Sequence, residues 1–184
     1  MNKRLAVILI SGLVLLPAAP ASAEEYTCRG TVGARTLDNV RVPEDATCVL
    51  EGTRVEGTIT VQSGATLRAR NVRVIGNVQG EDASLVVVAA GSRIGGSVQV
   101  VQGGAARVRG SAVTGDIQFD EQNRALKVLR NDVGGNVQVM QNTGGVEISR
   151  NTIDGNLQCK ENVPAPTGGG NVVDGNKEDQ CARL

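Results

Sequence analysis

The chain has 184 residues, 19 basic and 19 acidic side chains, no histidine, and 1% aromatic residues. A formal net charge of zero argues against a protein that binds polyanions through its overall charge. The absence of histidine removes the commonest general base, the serine triad and the commonest metal ligand. The length suits one domain.

The first 23 residues predict a secretory signal peptide. Lys3 and Arg4 precede an apolar run over residues 5–16, and Ala21-Ser22-Ala23 forms a small-residue cleavage site. The run is shorter than the roughly 18 residues that a membrane span needs. We expect a mature chain of residues 24–184 that is secreted, periplasmic or at the cell surface, with no transmembrane anchor. Its formal charge is 17 − 19 = −2.

A seven-residue phrase centred on a glycine recurs every 19 or 20 residues. Within it, the residues two before, two after and four after the glycine are apolar, whereas those one and three after it are polar. This alternation is typical of a strand with one buried face, and the fixed period indicates stacked coils. The glycines are Gly57, Gly76, Gly96, Gly115, Gly135, Gly155 and Gly175.

A second strand in each coil is predicted from an apolar pair that lies nine and seven residues before each glycine. Equivalent strands run in the same direction, and parallel crossovers are right-handed, so the chain predicts an all-β, single-stranded, right-handed parallel β-helix of about seven coils. The pairs are Cys48/Leu50, Leu67/Ala69, Val87/Ala89, Ala106/Val108, Leu126/Val128 and Val146/Ile148.

The ends of the rod are expected to differ from its middle. We expect an N-terminal cap over residues 24–44, coils over 45–175 and a C-terminal cap over 176–184. The last phrase places Lys177 and Asp179 at inward positions, where charges are costly to bury, so this strand is expected to leave the stack.

Four cysteines in an exported chain predict two disulfides. Cys28 and Cys48 are 20 residues apart, and Cys159 and Cys181 are 22 apart. Equivalent residues on adjacent coils lie about 4.8 Å apart, within the usual Cα–Cα range of a disulfide. We therefore predict Cys28–Cys48 and Cys159–Cys181, while free buried thiols are the alternative.

A polar residue recurs four positions before most glycines, where stacked side chains can pair backbone groups at a bend. The phrase from Val146 to Leu157, with Asn151 at this position, resembles the repeats of the pectin-lyase-like superfamily. The resemblance covers about residues 45–179. It implies a β-helix, and among enzymes it implies clustered Asp residues, or calcium with an Arg base, in a long groove. The sequence has no Asn-Thr-Asp, Asp-Asp or Arg-Ile-Lys motif. The polar residues are Thr53, Ser92, Ser111, Asn131, Asn151 and Asn171.

Polar columns on the first strand form a candidate ligand face. A regular amide array would suit a repetitive polar ligand such as a glycan or ice, whereas amide ladders that hold the coils together are the structural alternative. The candidate residues are Gln79, Gln99, Gln118, Gln138, Gln158, Asn136 and Asn156.

The second strand carries a candidate basic strip that could contact an anionic envelope polysaccharide or another anionic polymer. The alternative is charge that keeps a β face soluble. Val88, Ala90 and Glu147 are predicted to interrupt the strip, and nucleic acid is not expected as a partner. The strip consists of Arg68, Arg70, Arg107, Arg109 and Lys127.

Asp154 and Asp174 hold the same coil position and form a weak candidate for a calcium site or, in an enzyme, for a catalytic carboxylate pair, with two solvated acids as the alternative. We expect no cofactor and no other metal. The sequence favours an exported, monomeric, non-catalytic structural or binding module. Its alternatives are a carbohydrate-active or glycan-binding protein and a self-assembling or ice-binding solenoid.

Overall fold

A computed structural model describes residues 24–184, and the predicted signal peptide lies outside this part of the chain. Within it there are 25 strands, and no helix is long and apolar enough to cross a membrane. The strands are β1 (Glu25–Thr27), β2 (Gly30–Val32), β3 (Thr36–Leu37), β4 (Asn39–Val42), β5 (Thr47–Glu51), β6 (Arg54–Val55), β7 (Ile59–Val61), β8 (Thr66–Arg70), β9 (Arg73–Val74), β10 (Val78–Glu81), β11 (Leu85–Ala89), β12 (Arg93–Ile94), β13 (Val98–Val101), β14 (Ala105–Arg109), β15 (Ala112–Val113), β16 (Ile117–Asp120), β17 (Leu126–Leu129), β18 (Asp132–Val133), β19 (Val137–Met140), β20 (Val146–Ser149), β21 (Thr152–Ile153), β22 (Leu157–Lys160), β23 (Thr167–Gly169), β24 (Val172–Val173) and β25 (Lys177–Asp179).

The strands stack into three parallel sheets, and each coil contributes one strand to each sheet. Sheet 1 runs from β1 through every third strand to β25, sheet 2 runs from β2 to β23, and sheet 3 runs from β3 to β24. We number the coils in chain order, so coil 1 is β1–β3 and coil 8 is β22–β24. The predicted parallel β-helix is confirmed, with eight coils in the described residues rather than seven, followed by β25.

The additional coil lies in the segment that was expected to be a cap. Strand β1 pairs with β4, and Thr36 and Leu37 of β3 pair with Arg54 and Val55 of β6. The sequence pattern does not predict this coil, because its version of the seven-residue phrase has no central glycine and is one residue shorter than the others. Leu37 and Val40 are three positions apart, whereas their partners Val55 and Ile59 are four apart.

The core is a continuous apolar column enclosed by the three sheets. Each sheet alternates inward apolar and outward polar side chains, as in Ile117-Gln118-Phe119, where both apolar residues are fully buried. Phe119 is the largest of the fully buried side chains in the described residues. At sheet 1 of coil 4 the equivalent inward position is Gly80, whose missing side chain leaves room for Val86 and Val100.

One predicted strand register is wrong by a single residue. In β11 the inward residues are Val86 and Val88, which pair with Ala106 and Val108, rather than Val87 and Ala89. The additional residue of this 20-residue coil lies after the strand, because Ala90 and Gly91 both adopt left-handed backbone conformations there. Counting backwards from the glycine across that bend therefore shifts the strand by one position.

The last strand stays in sheet 1, contrary to the expectation that it leaves the stack. Lys177, Glu178 and Asp179 pair with Leu157, Gln158 and Cys159. Lys177 and Asp179 are nevertheless exposed, because no further coil covers them. The charges thus lie at the C-terminal end of the rod, where solvent reaches them.

The predicted polar column at the bend between sheets 2 and 3 is a buried hydrogen-bond ladder. Asn151 donates through Nδ2 to the Val128 carbonyl at 2.9 Å and to Asn171 Oδ1 at 2.9 Å. Its own Oδ1 accepts the backbone N–H of Asn131 at 2.9 Å. The ladder therefore pairs backbone groups that the bend would otherwise leave without partners.

A second buried amide ladder, which the sequence reading missed, lies at the bend between sheets 1 and 2. Asn142 Oδ1 accepts the N–H of Gln122 at 2.8 Å, and Asn162 Oδ1 accepts that of Asn142 at 3.2 Å. Gln180 continues the series by accepting from Asn162. The ladder is confined to the C-terminal coils, since the N-terminal coils carry buried Ala65 and Ala83 at this bend.

Disulfide bonding is confirmed for all four cysteines. Cys28 is bonded to Cys48 and Cys159 to Cys181, with Cα–Cα distances of 5.5 and 5.2 Å. Each bond ties a terminal stretch of chain to the coil beside it.

Candidate functional site

The polar residue after each phrase glycine is committed to coil stacking. Asn136 Oδ1 accepts the backbone N–H of Asn156 at 2.8 Å, and Asn156 Oδ1 accepts that of Asn176 at 2.8 Å. The same bond joins every pair of successive coils, from Asn39 and Thr58 onward. Asn136 and Asn156 thus have their oxygens occupied, which favours the ladder interpretation for these two members of the candidate ligand face. The column comprises Asn39, Thr58, Asn77, Ser97, Asp116, Asn136, Asn156 and Asn176.

The glutamine column of the candidate ligand face lies in register on the outer side of sheet 1. Its members are Gln79, Gln99, Gln118, Gln138 and Gln158. Gln79 donates to Gln99 at 3.2 Å and Gln138 to Gln158 at 2.8 Å. Gln118 makes no side-chain hydrogen bond to another residue of the range 24–184. The column is therefore only partly a ladder, and its middle retains amides that are available to a ligand.

A groove of about 610 Å³ runs along this part of sheet 1. Gln79, Gln99 and Gln118 form its floor, and the carboxylates of Glu44, Glu81 and Asp82 lie along its side. Glu81 ends β10, and Asp82 follows it with a left-handed backbone conformation at the sheet 1–sheet 2 bend. The groove can accept hydrogen-bond donors such as sugar hydroxyls along its length.

Asp120 pairs in register with Val101, which lines the groove, and is a titratable group that sequence reasoning did not single out. It stands between Val101 and Met140 on the outer side of sheet 1. Burial raises the pKa of its carboxyl above the ordinary value, and the charge of Glu121 adds to the rise. Its Oδ1 is buried without a hydrogen-bond partner among the described residues. The alternation of apolar and polar residues along β16 predicts that Asp120 faces outward, but it does not predict that Oδ1 is buried.

The basic strip occupies the outer side of sheet 2. Arg68 and Arg107 flank Val87 in one column, and Arg70 and Arg109 flank Ala89 in the next. The interrupting residues are thus Val87 and Ala89 rather than Val88 and Ala90, as the corrected register requires.

Ion pairing divides the strip into two groups. Arg70 contacts Glu51 at 3.5 Å, and Lys127 contacts Glu147 at 2.7 Å. Within residues 24–184, Arg68, Arg107 and Arg109 form no ion pair, which leaves their guanidinium groups available to an anion.

Three more arginines, missed in the sequence reading, stack on the outer side of sheet 3. Arg54 pairs in register with Arg73, and Arg73 pairs with Arg93. Arg54 also contacts Glu56 at 3.3 Å. The signal that could have found them is the residue immediately before each phrase, since they precede Val55, Val74 and Ile94.

Asp154 and Asp174 directly follow β21 and β24, which pair in register, and both are exposed. In the described part of the chain, no group of three or more His, Cys, Asp or Glu side chains could hold a metal ion. The calcium hypothesis therefore has two carboxylates and no third protein ligand of these types.

Comparison with models of known protein families, with characterised protein sequences and with solved structures finds no match to this chain. The parallel β-helix itself is what the structure establishes.

Proposed function

We propose that this chain is an exported, monomeric, non-catalytic β-helix module that binds an anionic polymer of the cell envelope or extracellular space. The observation that carries the proposal is the set of outward arginines on sheet 2, of which Arg68, Arg107 and Arg109 have no ion-pair partner among residues 24–184. Guanidinium groups match carboxylate, sulfate and phosphate geometry through paired N–H donors.

Export is supported by the predicted signal peptide and by two disulfides, which persist in oxidising compartments. A rigid stack suits a binding role, because strands held on both sides present arginines at fixed positions. Mass spectrometry of the protein recovered from outside the cytoplasm should give a chain that begins at Glu24.

The binding proposal is tested with two polymers that share one backbone, dextran sulfate and neutral dextran. The mature chain should bind dextran sulfate, and the binding should weaken as salt is added. The triple variant Arg68→Gln/Arg107→Gln/Arg109→Gln should lose most of this affinity. Its matched control, Arg29→Gln/Arg124→Gln/Arg183→Gln, removes three exposed arginines elsewhere and should retain it. Equal binding to both polymers, or equal losses in the two variants, would refute the proposal.

The groove on sheet 1 supports a second candidate, a glycan-binding or carbohydrate-active protein of the pectin-lyase-like type. Its support is the combination of glutamine amides, the carboxylates of Glu44, Glu81 and Asp82, and the raised pKa of Asp120 beside them. A glycan array should then give ligands whose binding falls in Gln99→Ala. Release of reducing sugars that stops in Asp120→Asn would indicate catalysis, and no glycan binding at all would remove this candidate.

A further inference from the structure

The stacked arginines of sheet 3 are expected to reduce the stability of the fold. Arg54, Arg73 and Arg93 occupy directly paired positions on three successive coils, about 4.8 Å apart. Like charges that face each other across paired strands are destabilising. Elsewhere the chain places an acid beside the cation on the neighbouring coil, as in Lys127 with Glu147 and Arg70 with Glu51. In this stack only Arg54 has an acidic partner, Glu56 on its own coil. Arg73 and Arg93 form no ion pair within residues 24–184, which is the arrangement expected where an external anion supplies the missing charge.

The bend between sheets 2 and 3 brings this stack beside the basic strip. Arg70 ends β8 and Arg73 begins β9, so three peptide links separate them and their Cα atoms are at most about 11 Å apart. Mostly small residues form the bend over coils 2–5. A Cβ at Gly91 or Gly110 would meet no atom within 4 Å, so the space above the bend is open. The bend residues are Gly52, Asn71, Ala90, Gly91 and Gly110.

The pattern changes abruptly after coil 5. Arg130 and Arg150 replace the small bend residues in coils 6 and 7, with left-handed φ values of 55° and 58°. Acids appear on the flanking sheets, since Asp132 continues the column of Arg93 and Glu147 continues that of Lys127. The open bend is thus confined to coils 2–5, where arginines lie on sheet 3 in coils 2, 3 and 4 and on sheet 2 in coils 3 and 5.

We propose that this region, the arginine corner, binds a thin linear polyanion along the rod axis. The polymer lies on the small-residue bend, and arginines of the two flanking sheets contact its anionic groups. The inference rests on the proposed polymer binding and defines the ligand further, as a chain with an anionic group on every repeat. The corner extends over three coil spacings, about 14 Å. A flat membrane surface fits it poorly, because the two rows lie on different faces of a convex edge. The arginines are Arg54, Arg68, Arg70, Arg73, Arg93, Arg107 and Arg109.

The first test measures binding of inorganic polyphosphates of graded length to the mature chain. Affinity should rise with the length of the polyphosphate until the polymer covers the arginine corner. Beyond that length it should rise only slightly, because a longer polymer can bind in more positions. Arg73→Gln/Arg93→Gln, which leaves the basic strip intact, should weaken binding roughly tenfold. Arg29→Gln/Arg124→Gln removes the same charge elsewhere and should have a smaller effect.

A second variant tests the role of the small-residue bend without changing the net charge of the protein. Gly110→Gln places a long neutral side chain on the bend, and the fold accepts glutamine in such a conformation at Gln102 and Gln141. It should weaken polyphosphate binding although every arginine remains.

Unchanged affinity in both Gly110→Gln and Arg73→Gln/Arg93→Gln would overturn the arginine corner, while loss of affinity in the sheet 2 triple variant would still uphold the proposed function. Failure of the wild type to bind either polyphosphate or dextran sulfate at low salt would overturn both. Tighter binding to phosphatidylglycerol vesicles than to polyphosphate would assign the surface to membranes instead.

The unliganded chain gives an independent readout. Arg73→Gln should raise the melting temperature at low salt, because it removes repulsion from Arg54 and Arg93, and the gain should shrink in high salt. A lower melting temperature at both salt concentrations would mean that the stack is structurally favourable and would contradict the argument from its cost.

Discussion

At the scale of the residue, the phrase glycine is required for space rather than for an unusual backbone angle. None of the seven adopts a left-handed φ. At Gly155, a Cβ would lie 2.5 Å from Asn136 Oδ1 and 2.7 Å from the Gly135 carbonyl oxygen. The side-chain oxygen of one coil therefore occupies the space that a side chain at the glycine of the following coil would need. The glycine is required so that the polar residue one coil earlier can accept the N–H that follows the glycine.

Gly135→Ala should accordingly destabilise the protein by about 2 kcal/mol, since its Cβ would overlap the Asp116 carboxylate and lie 2.9 Å from the Gly115 carbonyl group. Gly33→Ala is the matched control, because its Cβ would meet nothing within 4 Å and its φ is ordinary. Chemical denaturation measures both. Equal stability of the two variants would show that the coils can separate enough to admit a methyl group.

Asp120 gives a pH dependence of defined sign. Because burial raises the pKa of this carboxyl in the folded chain, the folded state binds the proton more tightly than the unfolded state. Its contribution to stability is thus lost as the pH rises through the folded pKa. Asp120→Asn should melt at a higher temperature than the wild type at pH 7, and the difference should vanish below the ordinary pKa of 3.8. Asp132→Asn, at an exposed site, controls for the loss of charge, and a similar gain there would contradict the role of burial.

At the scale of the element, two amide ladders hold the bends in which the strands end. Each buried Asn uses both its donor and its acceptor on backbone groups or on the next amide, so no member can be removed without leaving buried groups unpaired. Gln122 ends one ladder and is 1% exposed, and its Oε1 has no partner among residues 24–184. The ladder ends there because the preceding coil offers Gly103 in place of an amide.

Asn151→Ala should cost about 3 kcal/mol, because it leaves the Asn131 N–H and the Val128 carbonyl buried without partners. Asn151→Ser should cost less, since serine already serves at this bend as Ser92 and Ser111. Gln118→Ala, at a half-buried outward site, should change the free energy of unfolding by less than about 0.5 kcal/mol. A cost for Asn151→Ala no larger than that of Gln118→Ala would contradict the ladder's structural role.

Sequence periodicity predicts elements well where each coil repeats its neighbour and fails where a coil changes length. The strands of sheet 1 follow directly from the glycine, because no bend separates them from it. Val86 and Val88 are displaced by the added residue at Ala90 and Gly91, and coil 1 is missed because its phrase lacks the glycine. The second amide ladder escaped because amides are equally common in exposed turns, so composition alone cannot show that Asn142 and Asn162 are buried.

At the scale of the whole molecule, the two disulfides secure the ends of a structure in which each coil contacts only its neighbours. The Cys159–Cys181 bond holds the segment that covers the last coil, where Val173 and Leu184 pack against the core. At the other end, Arg35 lies 4.6 Å from the centroid of the Tyr26 ring in coil 1. Stability in such a stack is a sum of local terms, so the ends are the sites at which unfolding should begin.

Cys159→Ser/Cys181→Ser should therefore loosen the C-terminal coils rather than the whole rod. The crosslinked loop of 22 residues has an expected stabilisation of about 3 kcal/mol. Hydrogen exchange should accelerate at amides of coils 7 and 8 and stay unchanged in coil 4. Uniform acceleration along the chain would show that the rod unfolds as one cooperative unit.

The candidate sites illustrate a limit of reading a repeat one column at a time. The basic strip on sheet 2 is visible from the sequence because its members lie on equivalent strands of their coils, β8, β14 and β17. The arginine corner combines residues of two sheets across a bend, and only the paired registers show that Arg73 and Arg93 form one column on the sheet next to the column of Arg70 and Arg109. The groove on sheet 1 depends likewise on the bend geometry that places Asp82 beside the glutamines.

The uniform stacking of the C-terminal coils has an evolutionary consequence. Asn131 donates through Nδ2 to Asn151 Oδ1, and Asn142 donates likewise to Asn162 Oδ1, 20 residues later in each case. Asn136 Oδ1 accepts the backbone N–H of Asn156, again 20 residues later. A tandem duplication of one such unit would insert a coil whose contacts copy those already present, lengthening the rod by about 4.8 Å. The arginine corner, confined to coils 2–5, would be untouched. Length and recognition can thus be inherited and altered separately within one chain.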